Sequence, residues 1–200
     1  MILPADLHQA EGGRYAMLMA DPPWSFTTRS AKGLRKSAQA HYACMDLEAI
    51  KALPVRRLAA KDAILWLWAT NPMLPQALGV MAAWGFTFKT AGHWSKRTKG
   101  GKQAFGTGYI LRCAGEPFLI GTVGAPRAAS RSVRSVIEGP IREHSRKPDE
   151  AFTAAGLLVE GARLELFSRQ DREGWDRWGL EADRFPSCAA ASAPASPSVC

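Results

Sequence analysis

The sequence predicts an α/β domain in which helices cover both faces of a mostly parallel β-sheet. Two observations carry this prediction: short apolar runs end at turn residues, and helical patterns separate them along the chain. A length of 200 residues suits one domain. We therefore expect a single domain over residues 1–185, followed by a disordered tail of Ala, Ser and Pro over residues 186–200.

The first half of the chain alternates strand, helix, strand, helix. Its expected elements are strands over 15–20 and 63–69 and helices over 46–51 and 74–84. Both strands are apolar runs that stop at prolines, which is typical of buried strands that end in rigid turns. Asp46 is a suitable N-cap for the first helix, and Gly85 is a suitable C-cap for the second.

The second half continues the alternation. Its expected elements are strands over 86–94, 117–123 and 163–169 and a helix over 149–160. Asp149 and Glu150 follow Pro148, and a proline with two acids suits the first turn of a helix. Because strands alternate with helices, we expect a sheet with a layer of helices on each face.

The composition indicates a globular protein that contains no metal. No apolar run approaches the roughly 18 residues that span a bilayer, and no secretory signal pattern opens the chain, so we expect a cytoplasmic protein. The four cysteines are scattered without the spacing of metal ligands, and we assign them no chemistry.

The net charge of +8 is concentrated in two segments. Residues 25–42 contain four basic and no acidic residues, and residues 96–134 contain eight basic residues against one acid. Such segments are typical of loops that bind phosphate, so we expect nucleic acid as a partner, with Lys96, Lys99 and Lys102 as candidate contacts. The alternative is that these side chains only solvate the loops.

The motif Asp21-Pro22-Pro23-Trp24 follows the first buried strand, where open α/β sheets place their ligand crevices. The Asp21 carboxylate and the Pro22 carbonyl are hydrogen-bond acceptors. Two prolines fix the backbone and remove N–H donors, so we expect the carbonyl to stay free. Trp24 adds a flat face on which a base can stack. The alternative is a capped turn whose tryptophan belongs to the core.

With these residues the sequence resembles the MT-A70 family of adenine N6-methyltransferases, over a stretch from about Tyr15 to Asp183. The segments that carry the resemblance are residues 20–24 (ADPPW), 41–45 (HYACM), 65–70 (LWLWAT), 85–96, 144–150 (HSRKPDE), 164–169 (LELFSR) and 174–175 (GW). The resemblance implies a Rossmann-like methyltransferase fold with S-adenosylmethionine as cofactor. It also implies methyl transfer to the N6 amine of adenine.

The motif suits that chemistry. The N6 lone pair is delocalised into the purine ring, so the nitrogen is a poor nucleophile until its hydrogens are drawn out of the ring plane. Asp21 and the Pro22 carbonyl can each accept one hydrogen and direct the lone pair at the sulfonium methyl group. Pro23 and Trp24 complete the expected catalytic motif.

The resemblance also implies roles for residues outside the motif. Asp21 would touch the amino group of the cofactor, and Tyr42 and Trp94 would line the adenine pocket. Glu165, Phe167 and Arg169 would hold the adenosine of the cofactor. The structural alternatives are a polar pair flanking a strand and ordinary core aromatics.

Two departures from the family pattern concern the cofactor. The chain has Leu180 where relatives place a polar ribose contact, and we expect Glu181 to compensate. The region around Gly115 lacks the lysine that eukaryotic members place near the cofactor carboxylate. Which cation neutralises that carboxylate is open at this point.

Three functions remain for the whole chain. Compact members of the family resemble bacterial or phage proteins, which favours adenine methylation in DNA, on a flipped or single-stranded base. The same active site would serve RNA, and a silent subunit of a methyltransferase complex is the third hypothesis. A homodimer and a partner subunit both stay open.

Overall fold

The computed structural model describes residues 7, 9, 12–25, 44–108, 110–143 and 146–185. Tyr42, most of the basic segment 25–42 and the expected tail over 186–200 lie outside the described residues. The expectations for them, and for the extent of the domain, stay predictions.

The described residues form one seven-stranded sheet with the order β5-β3-β4-β2-β1-β6-β7. The strands are β1 (Tyr15–Ala20), β2 (Ala59–Trp68), β3 (Thr87–Arg97), β4 (Gly115–Val123), β5 (Val136–Pro140), β6 (Arg163–Leu166) and β7 (Asp176–Trp178). Only β4 runs against its two neighbours. The other pairs are parallel, which confirms the expected α/β fold with a mostly parallel sheet.

Helices lie on both faces of the sheet, as expected. They are α1 (Leu47–Lys51), α2 (Val55–Leu58), α3 (Leu74–Ala83) and α4 (Asp149–Leu158). Alternate side chains of β1 point to opposite faces: Leu18 joins the core under α3, whereas Met17 and Met19 join the core under α4. A short 3-10 helix, Asn71–Met73, leads into α3.

The capping residues act as the sequence predicts. The Asp46 carboxylate accepts the amide hydrogen of Glu48 at the start of α1, and Gly85 follows α3 with a φ of +76°. β6 is shorter than expected because Phe167 adopts a left-handed φ of +63° and ends the strand. β5 and β7 were not expected, since neither has a distinctive apolar run.

Among the described helices, none has the length and apolar character that crossing a membrane requires. The described residues contain no cluster of His, Cys, Asp or Glu that could hold a metal ion.

Candidate active site

Four of the residues selected from the sequence, Asp21, Glu165, Phe167 and Arg169, gather at the carboxyl edge of the sheet. The turns after β1, β6 and β7 meet there because these strands are parallel neighbours. β4 is antiparallel, so its first residues reach the same edge. A cleft at this edge, here called the carboxyl-edge cleft, is lined by Asp21, Arg146, Lys147, Glu165, Phe167, Arg169, Gln170 and Arg172.

Hydrogen bonds fix the turn after β1. The Trp24 amide donates to the Pro22 carbonyl oxygen at 2.8 Å, and the Met45 amide donates to the Pro23 carbonyl oxygen at 3.0 Å. The expectation that the Pro22 carbonyl has no competing donor is therefore wrong, because the donor comes from the residue after the two prolines. A carbonyl oxygen has two lone pairs, so Pro22 can still accept a second hydrogen.

The Trp24 side chain belongs to the core. It is 3% exposed and packs with the residues under α3. Its indole N–H donates to the Trp68 carbonyl oxygen at 3.2 Å. Trp24 is therefore a core residue of a capped turn, which was the alternative interpretation of the motif. Its indole presents no open face for a base. The indole instead ties the turn after β1 to the end of β2.

A buried lysine organises the charges around Asp21. Lys147 is 6% exposed, and its Nζ lies 2.8 Å from Asp21 Oδ2 and 2.6 Å from Glu116 Oε1. The other oxygen of Glu116, Oε2, lies 3.0 Å from Lys96 Nζ. Two cations and two carboxylates thus form a continuous chain. Because opposite charges alternate in it, each ion pair offsets part of the cost of burial.

The pKa values of the two carboxyl groups depend on burial and on the number of lysines that pair with each of them. Burial raises the pKa of Asp21 above its ordinary value, Lys147 opposes the rise, and Glu116 adds to it. Burial would also raise the pKa of Glu116, but Lys147 and Lys96 together lower it to about 2. Asp21 is therefore the carboxyl group of the pair that protonates first as the pH falls.

Lys147 keeps its proton in this setting. Burial would lower the pKa of a lysine, but the carboxylates of Asp21 and Glu116 outweigh burial and raise the pKa of Lys147 above its ordinary value. Lys147 Nζ also lies 5.3 Å from the centroid of the Trp68 ring, where a cation is attracted to the aromatic face. Lys147 therefore remains a charged neighbour of Asp21.

Glu165 stands at the end of β6, on the other side of the cleft. Its Oε2 accepts a hydrogen bond from the Ser168 hydroxyl at 2.8 Å and lies 3.8 Å from Arg172 Nε. Burial raises the pKa of Glu165 to about 7, although Arg172 and Ser168 act in the opposite direction. A carboxyl group with that pKa changes charge near neutral pH.

Phe167 and Arg169 complete this side of the cleft. Phe167 is the one described non-glycine residue with a positive φ, a backbone conformation that costs roughly 1–2 kcal/mol. Its ring meets Trp178 edge-on, with centroids 5.4 Å apart. Arg169 pairs with Glu181 at 2.9 Å. The structure thus brings Glu181 to the cofactor residues named from the sequence, whereas the Leu180 side chain is exposed.

Trp94 lies beside Lys96, the lysine at the end of this row of ion pairs. Trp94 is buried, its indole N–H donates to the Gly139 carbonyl oxygen at 3.1 Å, and it meets Trp68 edge-on. Lys96 Nζ lies 4.5 Å from the centroid of the Trp94 ring. Lys99 and Lys102 are exposed on the loop after β3 and do not line the carboxyl-edge cleft.

Sequence reasoning missed Glu116, Lys147 and Arg172 as members of the site. Glu116 is the second residue of β4, a strand that no sequence pattern showed to be antiparallel. Lys147 lies within the HSRKPDE segment, but no pattern indicates that a lysine is buried. The one sequence signal for Lys147 was its position directly before a proline and the start of a helix.

The sequence of this chain is similar to those of known methyltransferases. The MT-A70 family model matches residues 15–181. The type II methyltransferase M.MunI from a Mycoplasma species is 29% identical over 84% of this chain and 78% of its own length.

Two further relatives are eukaryotic. The N6-methyladenosine RNA methyltransferase MTA1 of Cryphonectria parasitica is 28% identical over 90% of this chain and 55% of its own length. The human N(6)-adenine-specific methyltransferase METTL4 is 25% identical over 86% of this chain and 38% of its own length. The chain therefore spans most of M.MunI but about half or less of these two relatives.

Proposed function

Because the chain belongs to the MT-A70 family of adenine N6-methyltransferases, we propose that it transfers a methyl group from S-adenosylmethionine to the N6 amine of adenine in DNA. The observation that carries this proposal is the Asp21 carboxylate, which lines the carboxyl-edge cleft directly before Pro22 in the sequence.

Asp21 and Pro22 supply the two acceptors that the amine requires. A carboxylate accepts one N6 hydrogen, and the second lone pair of the Pro22 carbonyl oxygen accepts the other. Drawing both hydrogens away from the ring plane localises the nitrogen lone pair and makes the amine nucleophilic. Position matters more than basicity in this step, because preorganised acceptors need no rearrangement as the reaction proceeds.

Lys147 acts on Asp21 rather than on the amine. Its Nζ, 2.8 Å from Asp21 Oδ2, orients the carboxylate and favours its charged form against the cost of burial. Glu116 shares the same cation, so a movement of Lys147 away from Asp21 would also remove one of the two lysines that pair with Glu116. We assign Lys147 and Glu116 as positioning residues.

The residues across the cleft fit the chemistry of S-adenosylmethionine, which supplies an electrophilic methyl group when bound. The Glu165 carboxylate can accept ribose hydroxyls, the Arg169 guanidinium is a fork of donors, and Phe167 has a ring face for adenine. The indole N–H of Trp178, beside Phe167, is buried and has no hydrogen-bond partner among the described residues. These side chains would hold the adenosine while Asp21 holds the reacting amine.

The preference for DNA over RNA follows the similarity to the type II methyltransferase M.MunI, which is 29% identical over 84% of this chain. The basic residues over 96–134 are compatible with either nucleic acid, because phosphates attract them equally.

The test is transfer of a labelled methyl group from S-adenosylmethionine to matched DNA and RNA oligonucleotides, with product nucleosides identified by mass spectrometry. We expect N6-methyldeoxyadenosine. Label confined to N6-methyladenosine would move the substrate to RNA. Absence of label with both, despite cofactor binding, would contradict the proposed activity and favour a silent subunit.

A further inference from the structure

The loop between β3 and β4 carries an exposed apolar tip. Its residues 98–114 are described except for Tyr109. Phe105, Ile110 and Leu111 are 81%, 85% and 81% exposed, which are the largest values among the exposed large hydrophobic residues of the described chain. Three such side chains within seven residues are costly to leave in water unless they contact something else.

Backbone hydrogen bonds hold the tip in shape. The Gly106 amide donates to the Cys113 carbonyl oxygen at 2.8 Å, and the Cys113 amide donates to the Thr107 carbonyl oxygen at 3.2 Å. A Cβ at Gly108 would lie 1.8 Å from the Leu111 carbonyl oxygen, so the chain crosses itself too closely there for any side chain. The apolar side chains are therefore presented by a closed turn.

The charge around the tip fits a polyanion. Lys99, Lys102 and Arg112 belong to the same loop, and the Arg112 guanidinium lies 5.7 Å from the centroid of the Phe105 ring. The single acid in residues 96–134, Glu116, is partly buried and paired with both Lys96 and Lys147. A two-fold contact between copies of this chain would bring two basic surfaces together, whereas nucleic acid neutralises them.

Ion pairs connect both ends of the loop to the proposed active site. Lys96, the second-last residue of β3, pairs with Glu116, the second residue of β4, at 3.0 Å. Glu116 pairs with Lys147, and Lys147 pairs with Asp21. The two ends of the loop are therefore tied to the same buried ion chain that positions Asp21.

We propose that Phe105, Ile110 and Leu111 form a wedge that enters duplex nucleic acid beside the target adenine and takes up the space that the base leaves. This inference rests on the proposed function and specifies its substrate as a duplex. An adenine in a base pair cannot reach acceptors inside a cleft, so the base must leave its stack. Apolar side chains between base steps are one way to stabilise the unstacked state.

The first experiment measures unstacking without methyl transfer. A DNA duplex that contains 2-aminopurine brightens when that base leaves the stack. At saturating protein we expect an increase with the wild type and loss of most of it with Phe105→Ser/Ile110→Ser/Leu111→Ser. The variant Phe105→Leu/Ile110→Leu, which keeps the tip apolar, should retain the signal.

Two matched controls separate the wedge from other effects. Leu78→Ser/Leu157→Ser removes exposed apolar side chains from α3 and α4 and should leave the signal unchanged. Lys99→Ala/Lys102→Ala should weaken binding but leave the amplitude at saturation intact. An unchanged amplitude with the triple serine variant would overturn the proposal, as would absence of any increase with the wild type.

The second experiment compares labelled methyl transfer to native and to heat-denatured DNA that lacks adenine methylation. The triple serine variant should lower the native-to-denatured ratio by about tenfold or more, because only the duplex requires unstacking. Equal loss on both forms would contradict a wedge. A variant that changes the oligomeric state, measured by light scattering, would reassign the tip to a protein interface.

Failure of the wedge and failure of the proposed function give different results. If the wild type transfers no methyl group to either form of DNA, the proposed activity is wrong, and the 2-aminopurine measurement still decides whether the tip unstacks a duplex. If transfer is normal and the triple serine variant behaves like the wild type, the activity stands and the wedge does not.

Discussion

The carboxyl-edge cleft and the loop after β3 use charge in opposite ways. At the cleft, Lys147 is buried, Asp21 and Glu116 are partly buried, and the two ion pairs that Lys147 makes with them span 2.6 and 2.8 Å. On the loop, Lys99 and Lys102 are exposed, and no acid of the described residues pairs with either of them. The two regions meet at Lys96, which begins the basic segment and ends the buried ion chain.

This difference in the burial of charges indicates which function each region can perform. Buried, paired charges hold atoms in fixed positions, and removing one leaves its partner without compensation. Exposed charges act at longer range, are screened by salt and tolerate substitution. Chemistry that requires a fixed acceptor therefore belongs at the cleft, and attraction of a polyanion belongs on the loop.

The largest effect should come from breaking the buried chain at its centre. Lys147→Met leaves Asp21 and Glu116 buried together without their shared cation, so we expect a loss of about 3 to 5 kcal/mol in the free energy of unfolding. Urea unfolding measures it. The matched control Lys89→Met, at an exposed site, should change this free energy by less than about 0.5 kcal/mol. Similar small losses in both variants would show that the buried chain does not stabilise the fold.

A nearly isosteric change at Asp21 tests the chemistry itself. Asp21→Asn replaces one acceptor oxygen by a donor, so we expect the transfer rate at saturating cofactor and DNA to fall about 100- to 1000-fold. Labelled methyl transfer measures the rate, and circular dichroism checks that the fold is retained. A folded variant with a rate within a few-fold of the wild type would exclude Asp21 as the essential acceptor.

A smaller effect is expected at Glu165 and depends on pH. Burial raises the pKa of Glu165 from 4.5 to about 7, so the folded state binds a proton more tightly than the unfolded state. The stability from this proton is fully present below about 4.5 and is lost as the pH rises through about 7. Relative to Glu165→Gln, the wild type should lose on the order of 2 kcal/mol in unfolding free energy over that interval.

Thermal or urea unfolding at several pH values measures this difference. Glu160→Gln, at an exposed position just before β6, is the matched control and should track the wild type. A difference between wild type and Glu165→Gln that stays constant with pH would contradict the account of Glu165.

The smallest effect should come from the loop. Lys99→Ala/Lys102→Ala should weaken binding of all nucleic-acid sequences alike and reduce the slope of log affinity against log salt by about 2. The control Lys61→Ala/Lys89→Ala removes the same charge near the beginnings of β2 and β3, at the opposite edge of the sheet. Equal slopes for both double variants would show that the loop does not contact phosphate.

Most of the fold could be predicted because local patterns determine it. The bounds of β1, at Tyr15–Ala20, match the apolar run, and α1 begins after its capping aspartate. β5 and β7 could not be predicted, because these short edge strands lack a continuous apolar run and are defined by their neighbours. The end of β6 depends on the left-handed backbone of Phe167, which the residue type does not indicate.

The site divides in the same way. Asp21 could be named because it follows a recognisable strand, whereas Glu165, Phe167 and Arg169 were named from the resemblance to the MT-A70 family. Lys147 and Glu116 could not, since their proximity depends on the reversed direction of β4. The core position of Trp24 was one of two readings that the motif alone left open, and the pairing of strands decides between them.

The most direct test of the central claim is a crystal structure of the protein with S-adenosylhomocysteine. We expect the adenosine to contact Glu165, Phe167 and Arg169 and the sulfur to face the turn between Asp21 and Trp24. A ligand bound elsewhere, or with its sulfur turned away from Asp21, would contradict the assignment of the carboxyl-edge cleft as the site of methyl transfer.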